Sequence, residues 1–386
     1  MSHCLESLQL DNSRLLDVCR LCDFSVASSW RRRKIALSQL YTQYGMSLGY
    51  FGSAYYLGLG FLYINWMGHE YALANKVLDV PSARSSHSAP TPRGGGVAIA
   101  TCMLIALPFL EIKYSGILWS TLALLALVGY IDDHRGLGFK VRLLFQVACA
   151  YSLICFVSEF GDFRLFARDG FNIPSWASIL LGVLGIVWVT NLYNFMDGID
   201  GIAAAEAIFV ALSLGGVYAY SGEREWAGFM LAVAVSSLGF LCWNWAPAKI
   251  FMGDIGSVSL GWLFGGAMLI SERDTQIGIW VYLILMAAFI GDATITLLAR
   301  LLNREKVWLP HRTHLYQLMS VKLGDHRKVN YLLIFVNVVW LLPMALSAFM
   351  MPDWAWGFAV VAYSPLLLTC AVTRGRLIEN SKAEEC

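Results

Sequence analysis

The chain has 386 residues, 58% of them apolar and only 14% charged, and 28 Lys and Arg against 27 Asp and Glu leave a net charge of +1. Soluble domains carry about 25% charged residues, so this composition excludes an ordinary water-soluble globular protein. A mean hydropathy of +0.58 points to an all-α, polytopic membrane protein, and nucleic acid is not among its expected partners.

Residues 1–45 come first and are polar. Cys19-Arg20-Leu21-Cys22 has metal-ligand spacing, but no second pair completes four ligands, so zinc is not expected. No charged n-region leads into an apolar run, which excludes a signal peptide. From there hydropathy predicts eleven spans, near residues 47–66, 94–111, 115–131, 141–159, 175–192, 202–220, 226–245, 255–270, 277–301, 329–350 and 354–373. Segments 67–93, 132–140, 246–254, 302–328 and 374–386 share one side and hold fifteen Lys and Arg, against five on the other, which makes the first side cytoplasmic. An odd span count then exports the N-terminus, although Arg31-Arg32-Arg33-Lys34 precedes the first span closely. The conflict is resolved if translation starts at Met46. On this reading 1–45 is an extension outside the fold, 46–373 is the membrane domain and 374–386 is a cytoplasmic tail. Cys102, Cys149, Cys155, Cys242 and Cys370 lie in the spans as small hydrophobes.

The polar residues that interrupt this pattern gather at the cytoplasmic ends. Before the second span, Arg93 precedes Gly94-Gly95-Gly96, whose amides suit an anion at a helix start; close helix packing would ask for the same glycines. Asp132-Asp133 closes the third span. Adjacent carboxylates on a helix point different ways, so one can hold a metal or base position while the other orients its neighbours, and a solvated helix end has the same composition. In Asn194-Phe195-Met196-Asp197-Gly198-Ile199-Asp200-Gly201, the residues Asn194, Asp197 and Asp200 share one face if the segment is helical. Amide and carboxylate groups in such a row suit a nucleobase, a ribose or a metal.

Asp254, in Phe251-Met252-Gly253-Asp254-Ile255-Gly256-Ser257, serves as an N-cap, a Mg²⁺ ligand or both. Asp292 lies deeper in its span and is expected either at the site or bonded to a neighbouring helix. In the last loop, His311-Arg312-Thr313-His314 suits phosphate or sugar hydroxyls, and a basic loop that happens to hold histidine is the plain alternative. Carboxylates are costly near lipid, so their clustering at one face is itself a functional signal.

In this order and in these loops, Pro-Thr-Pro-Arg-Gly-Gly-Gly, Asp-Asp, Asn-Phe-Met-Asp-Gly-Ile-Asp-Gly, Phe-Met-Gly-Asp-Ile-Gly-Ser and His-Arg-Thr-His resemble the motifs of the polyprenyl-phosphate sugar-1-phosphate transferases, over roughly residues 50 to 373. The family includes N-acetylhexosamine-1-phosphate transferases and phospho-N-acetylmuramoyl-pentapeptide transferases. The resemblance implies an enzyme that moves N-acetylhexosamine-1-phosphate from a UDP-sugar to undecaprenyl phosphate and releases UMP. It implies Mg²⁺, or Mn²⁺, held by Asp254 with Asp133 and Asn194. Asp132 would deprotonate or orient the lipid phosphate, and Asp133 and Asp254 would complete the catalytic centre. Asp197 and Asp200 would meet the uridine side, Asn194 a phosphate, and His311, Arg312 and His314 the pyrophosphate or sugar, with Arg93 also on the substrate. Pentapeptide transferases have consecutive histidines in the last loop. His-Arg-Thr-His departs from that and resembles the branch that primes O-antigen or other surface glycans.

The expected partners are UDP-N-acetylhexosamine, undecaprenyl phosphate, membrane lipid and a second copy in a homodimer, and the expected place is the cell inner membrane with the site facing the cytoplasm. The competing reading is a secondary transporter of an anionic substrate, which would place its acids near the midplane of two repeated halves. No such repeat is visible, and these acids crowd one face.

Overall fold

The computed structural model describes residues 78–79, 91–159, 165–166, 173–306 and 311–384, with 78–79 and 374–384 by backbone alone. The expectations for residues 1–45, the start at Met46, the span at 47–66 and, Leu78–Asp79 apart, the segment 76–90 lie outside the described residues. A two-residue strand, β1 (Leu78–Asp79), pairs antiparallel with β2 (Thr91–Pro92), and this is the one sheet among the described residues. The other regular elements among the described residues are helical: α1 (Gly96–Ala106), α2 (Ser115–Arg135), α3 (Phe139–Val157), α4 (Ser175–Met196), α5 (Ile202–Tyr220), α6 (Arg224–Asn244), α7 (Asp254–Asp274), α8 (Ile279–Leu285), α9 (Ala287–Leu302), α10 (Leu315–Leu323), α11 (His326–Val336), α12 (Leu342–Met350) and α13 (Ala355–Glu384), with a few single helical turns between them.

Hydrocarbon offers the backbone no hydrogen-bond partner, so long apolar runs satisfy their amides within helices. Among the described residues, eight helical runs are long and apolar enough to cross a membrane: α2 to α7, His326–Met350 and Pro352–Thr373. The chain is a polytopic helical membrane protein. Three details differ from the sequence reading. The span expected at 94–111 is the shorter apolar stretch Gly96–Phe109. The one expected at 277–301 is broken into α8 and α9, which meet at 76°. Helix α13 also continues past residue 373 to Glu384.

Helix α7 is the centre of the bundle, and every residue of it from Asp254 to Glu272 is buried. Ser257, Ser259, Ala267 and several glycines keep its surface low, so α1, α2 and α4 pack closely on it. At Gly129 the approach of α2 is backbone to backbone: a Cβ there would lie 2.7 Å from Ile255 Cα. A buried polar pair ties the outer helices, with Asn337 Nδ2 donating to Glu206 Oε2 at 2.6 Å from the π-helical turn Asn337–Leu341. Because α2 to α7 alternate in direction, the ends of α2, α4 and α6 and the starts of α3, α5 and α7 share one end of the bundle. The motif loops lie there.

Candidate active site

Asp254 is the first residue of α7 and the hub of the site. Its Oδ1 accepts from Arg93 Nη2 at 3.1 Å and from Asn194 Nδ2 at 3.2 Å, and its Oδ2 accepts from Arg142 Nη1. The same Arg142 nitrogen donates to Asp132 Oδ2 at 2.7 Å, so one guanidinium nitrogen bridges two carboxylates. Asp132 Oδ1 takes the Leu137 amide, which folds the chain back between α2 and α3 and brings Arg142 round.

Asp133 plays a different part. Its Oδ1 accepts from the Asp254 amide at 2.9 Å and its Oδ2 from the Ile255 amide at 3.1 Å, while Arg93 Nε lies 3.1 Å from Oδ1. A carboxylate from α2 thus caps the start of α7, where the helix dipole favours an anion. Three of its roughly four acceptor positions are taken and its side chain is 1% exposed, which suits fixing Asp254 in place more than meeting a ligand. Asn194, in the last turn of α4, spends both Nδ2 hydrogens on Asp254 and on Ser257 Oγ at 2.9 Å, which leaves its amide oxygen as the atom free to face a cation.

The glycine run beside Arg93 serves packing. The amides of Gly94 and Gly95 donate to Phe251 O at 3.2 and 2.9 Å, and that of Gly96 donates to Met252 O at 2.9 Å. A Cβ on Gly96 would collide with the backbone of Gly256. These amides are spent within the protein, so the anion-binding reading of the glycines gives way to the packing one. What the segment delivers to the site is Arg93.

The segment after Met196 is not helical. Helix α4 ends at Met196, Asp197 has φ −84° and ψ 57°, and Gly201 is left-handed before α5 begins, so the shared face expected for Asn194, Asp197 and Asp200 does not form. Asp197 stays near the cluster. Desolvation, against the pull of Arg93 and with repulsion from Asp254, Asp133 and Asp200, pushes its carboxyl up to about 7. Asp200 turns away: its Oδ2 accepts from the Ala248 amide at 3.0 Å and lies 3.4 Å from His326 Nδ1. It lines a polar cavity of about 440 Å³ together with Arg312, His326 and Arg327. The turn is pinned from both sides, with Asn330 Nδ2 on Asp200 O at 2.8 Å and Tyr316 Oη on Phe195 O at 2.9 Å.

His311 and Arg312 are half-buried, whereas His314 is 2% exposed and sits between His311 and Tyr316, with ring centroids 4.8 and 5.8 Å away. Asp292 is not in the acid cluster. It bonds the start of α10, in line with the reading of it as a polar group that satisfies a neighbouring element.

Sequence reasoning missed Arg142, Ser257, Tyr316 and His326. Arg142 had a visible signal: it is a charge inside an expected apolar span, and such a charge marks function by default.

Known proteins bear on this arrangement directly. The chain is 32% identical to a probable undecaprenyl-phosphate N-acetylglucosaminyl 1-phosphate transferase of Bacillus subtilis over 270 residues, 67% of this chain and 75% of that one. It belongs to glycosyl transferase family 4. The family's profile matches residues 115–272, from the start of α2 to near the end of α7. Phospho-N-acetylmuramoyl-pentapeptide-transferases are also similar. That of Listeria welshimeri is 29% identical over 232 residues, covering 54% of this chain and 68% of its own, and that of Moorella thermoacetica is 34% identical over 201 residues, covering 48% and 63%. This glycosyl transferase family 4 member is a membrane transferase, and the matched region holds Asp132, Asp133, Arg142, Asn194, Asp197, Asp200 and Asp254.

Among the described residues, no group of three or more His, Cys, Asp and Glu is disposed to cage a metal. Mg²⁺ does not ask for one, since it is usually held by one or two carboxylates together with substrate phosphates and water. Asp254 and the Asn194 amide oxygen are hard oxygen donors of that kind, and the two guanidiniums on Asp254 show that its place already draws cations. The donor set fits.

Proposed function

We propose that this protein transfers an N-acetylhexosamine-1-phosphate from a UDP-sugar to undecaprenyl phosphate at the cytoplasmic face of the inner membrane, releasing UMP and priming O-antigen or another surface glycan. The observation that carries this reading is the meeting of Asp132, Asp133 and Asp254 with Arg93, Arg142 and Asn194, from separate segments, at one end of an apolar bundle. A water-soluble nucleotide and a lipid-anchored phosphate can meet at such an end.

An oxygen of the lipid phosphate attacks the β-phosphorus of the UDP-sugar. The bond from that phosphorus to the bridging oxygen breaks, and the electron pair leaves with UMP. Both reactants are anions, so the chain must first hold them together. Arg142 and Arg93 are placed to receive phosphate oxygens, and His311 and Arg312 to receive the diphosphate or sugar, with His314 behind them. Asp132, shared with Arg142, orients the lipid phosphate and is the group placed to take its proton when it arrives singly protonated. Mg²⁺ held by Asp254 and Asn194, with Asp133 fixing Asp254, would supply charge neutralisation at the diphosphate. Asp197 and the cavity beside Asp200 and Arg312 suit the uridine side.

The test is exchange of radiolabelled UMP into UDP-sugar in membranes supplied with undecaprenyl phosphate, run across a panel of UDP-sugars. The reading expects exchange that requires the lipid and favours a 2-acetamido sugar. No exchange with any UDP-sugar, or exchange indifferent to the lipid, would overturn it.

A further inference from the structure

The second half of the bent span carries a buried carboxylate that the reaction above does not use. Asp292, in the second turn of α9, is 8% exposed, and both its oxygens serve the start of α10. Oδ1 accepts from the Leu315 amide at 2.8 Å and Oδ2 from the Tyr316 amide at 3.0 Å, with the Thr296 hydroxyl also on Oδ1 at 3.2 Å. A helix start leaves its first amides without partners inside the helix. Here the amide of His314 is met by Gln317 Oε1 at 3.4 Å, and the next two are met by a carboxylate from another helix. An anion in that place also suits the helix dipole.

This borrowed cap fixes more than α10. His311-Arg312-Thr313-His314 runs straight into the capped turn. His314 Nδ1 makes no hydrogen bond and lies 3.8 Å from Asp292 Oδ1, so its ring is placed by the backbone and by stacking on His311 and Tyr316. Tyr316, whose amide Asp292 holds, sends its hydroxyl to Phe195 O at 2.9 Å, beside Asn194 and Asp197. One carboxylate therefore sets the register of the His-Arg segment against the turn after α4.

We propose that Asp292 is a positioning residue for the nucleotide-sugar half of the site, holding His311 and Arg312 in place through the first turn of α10. This inference rests on the transferase reading. The lipid-phosphate half, built on Asp132 and Arg142, shares no hydrogen bond or ion pair with Asp292, so the two substrates should respond differently when the cap is weakened.

The experiment is steady-state kinetics on the purified protein with UDP-sugar and undecaprenyl phosphate varied separately, beside hydrogen exchange read by mass spectrometry. Asp292→Asn keeps the size and one acceptor but turns an amide nitrogen toward the second N–H and removes the charge. It should raise KM for the UDP-sugar roughly tenfold. KM for the lipid should stay within about twofold of the parent. Peptides spanning the first turn of α10 should exchange faster while those of α2, α4 and α7 do not. Asp292→Glu, which restores the charge, should recover part of the loss. A UDP-sugar KM within about twofold of the parent in Asp292→Asn would overturn the proposal. So would equal rises in both KM values with loss of cooperative unfolding, which would mark a merely structural group. If the parent itself releases no UMP, the transferase reading fails separately and the exchange measurement decides: unchanged protection at Leu315 and Tyr316 rejects the positioning role, and loss confined to that turn upholds it.

Discussion

Replacing Arg142 by Met keeps an apolar stem of similar length and removes the nitrogen that joins Asp132 to Asp254. The two carboxylates then face each other without their shared cation. Removing one partner of a fully buried ion pair costs about 3–5 kcal/mol. The Arg142 side chain is 32% exposed and each acid 10%, so water relieves part of this, and a loss of about 2–3 kcal/mol is expected. Felt in the transition state, that is a fall of roughly 30- to 150-fold in kcat/KM. Because a single nitrogen makes both contacts, a point charge should serve, and Arg142→Lys should stay within about fivefold of the parent. UMP release by purified variants, with expression and thermal unfolding checked alongside, measures both. The reasoning is refuted if Arg142→Met keeps more than about half the parental rate, or if Lys is as damaging as Met.

Gly129→Ala puts a methyl 2.7 Å from Ile255 Cα, pushing α2 off the start of α7. Thermal unfolding should show a loss of about 1–3 kcal/mol with a parallel fall in activity, and an unchanged midpoint would contradict the close approach. Asp197 gives a pH signature. Its carboxyl is raised from 3.8 to about 7, so the folded chain binds that proton more tightly, and stability falls as pH rises across that interval and is level above it. The contribution is at most about 4 kcal/mol. Asp197→Asn should flatten that slope and be the more stable protein at about pH 8, and an identical slope in both would reject the assignment. Arg312→Lys keeps the charge but loses the fork, so it should raise KM for the UDP-sugar several-fold while leaving the melting curve in place; an unaltered KM would remove Arg312 from the substrate.

The helices were largely legible in the sequence because lipid makes long apolar runs unambiguous. The break between α8 and α9 was not, since it falls at Met286, with φ −95° and ψ 10°, where neither proline nor glycine marks it. The acids at the ends of α2 and α7 were visible as charges where charges are costly, and the structure brings Asp132, Asp133 and Asp254 together with Asn194 and Arg93. The division of labour among them was not visible. That Asp133 caps α7 depends on a long-range approach that Gly129 and Gly253 permit. The row of Asn194, Asp197 and Asp200 failed because α4 stops at Met196 and glycines turn the chain, sending Asp200 toward His326. Arg142 was counted as part of a span, and its position in the first turn of α3, folded back by Asp132, is what makes it part of the site.

The most direct measurement is mass spectrometry of the lipid product formed by purified protein from undecaprenyl phosphate and a UDP-N-acetylhexosamine, with UMP counted in the same tube and Asp254→Ala run beside the parent. The account predicts one lipid pyrophosphoryl sugar for each UMP, abolished by EDTA, restored by Mg²⁺ and absent in the variant even though it inserts into membranes normally. Product at the parental rate in Asp254→Ala, or UMP released without a lipid-linked sugar, would contradict it.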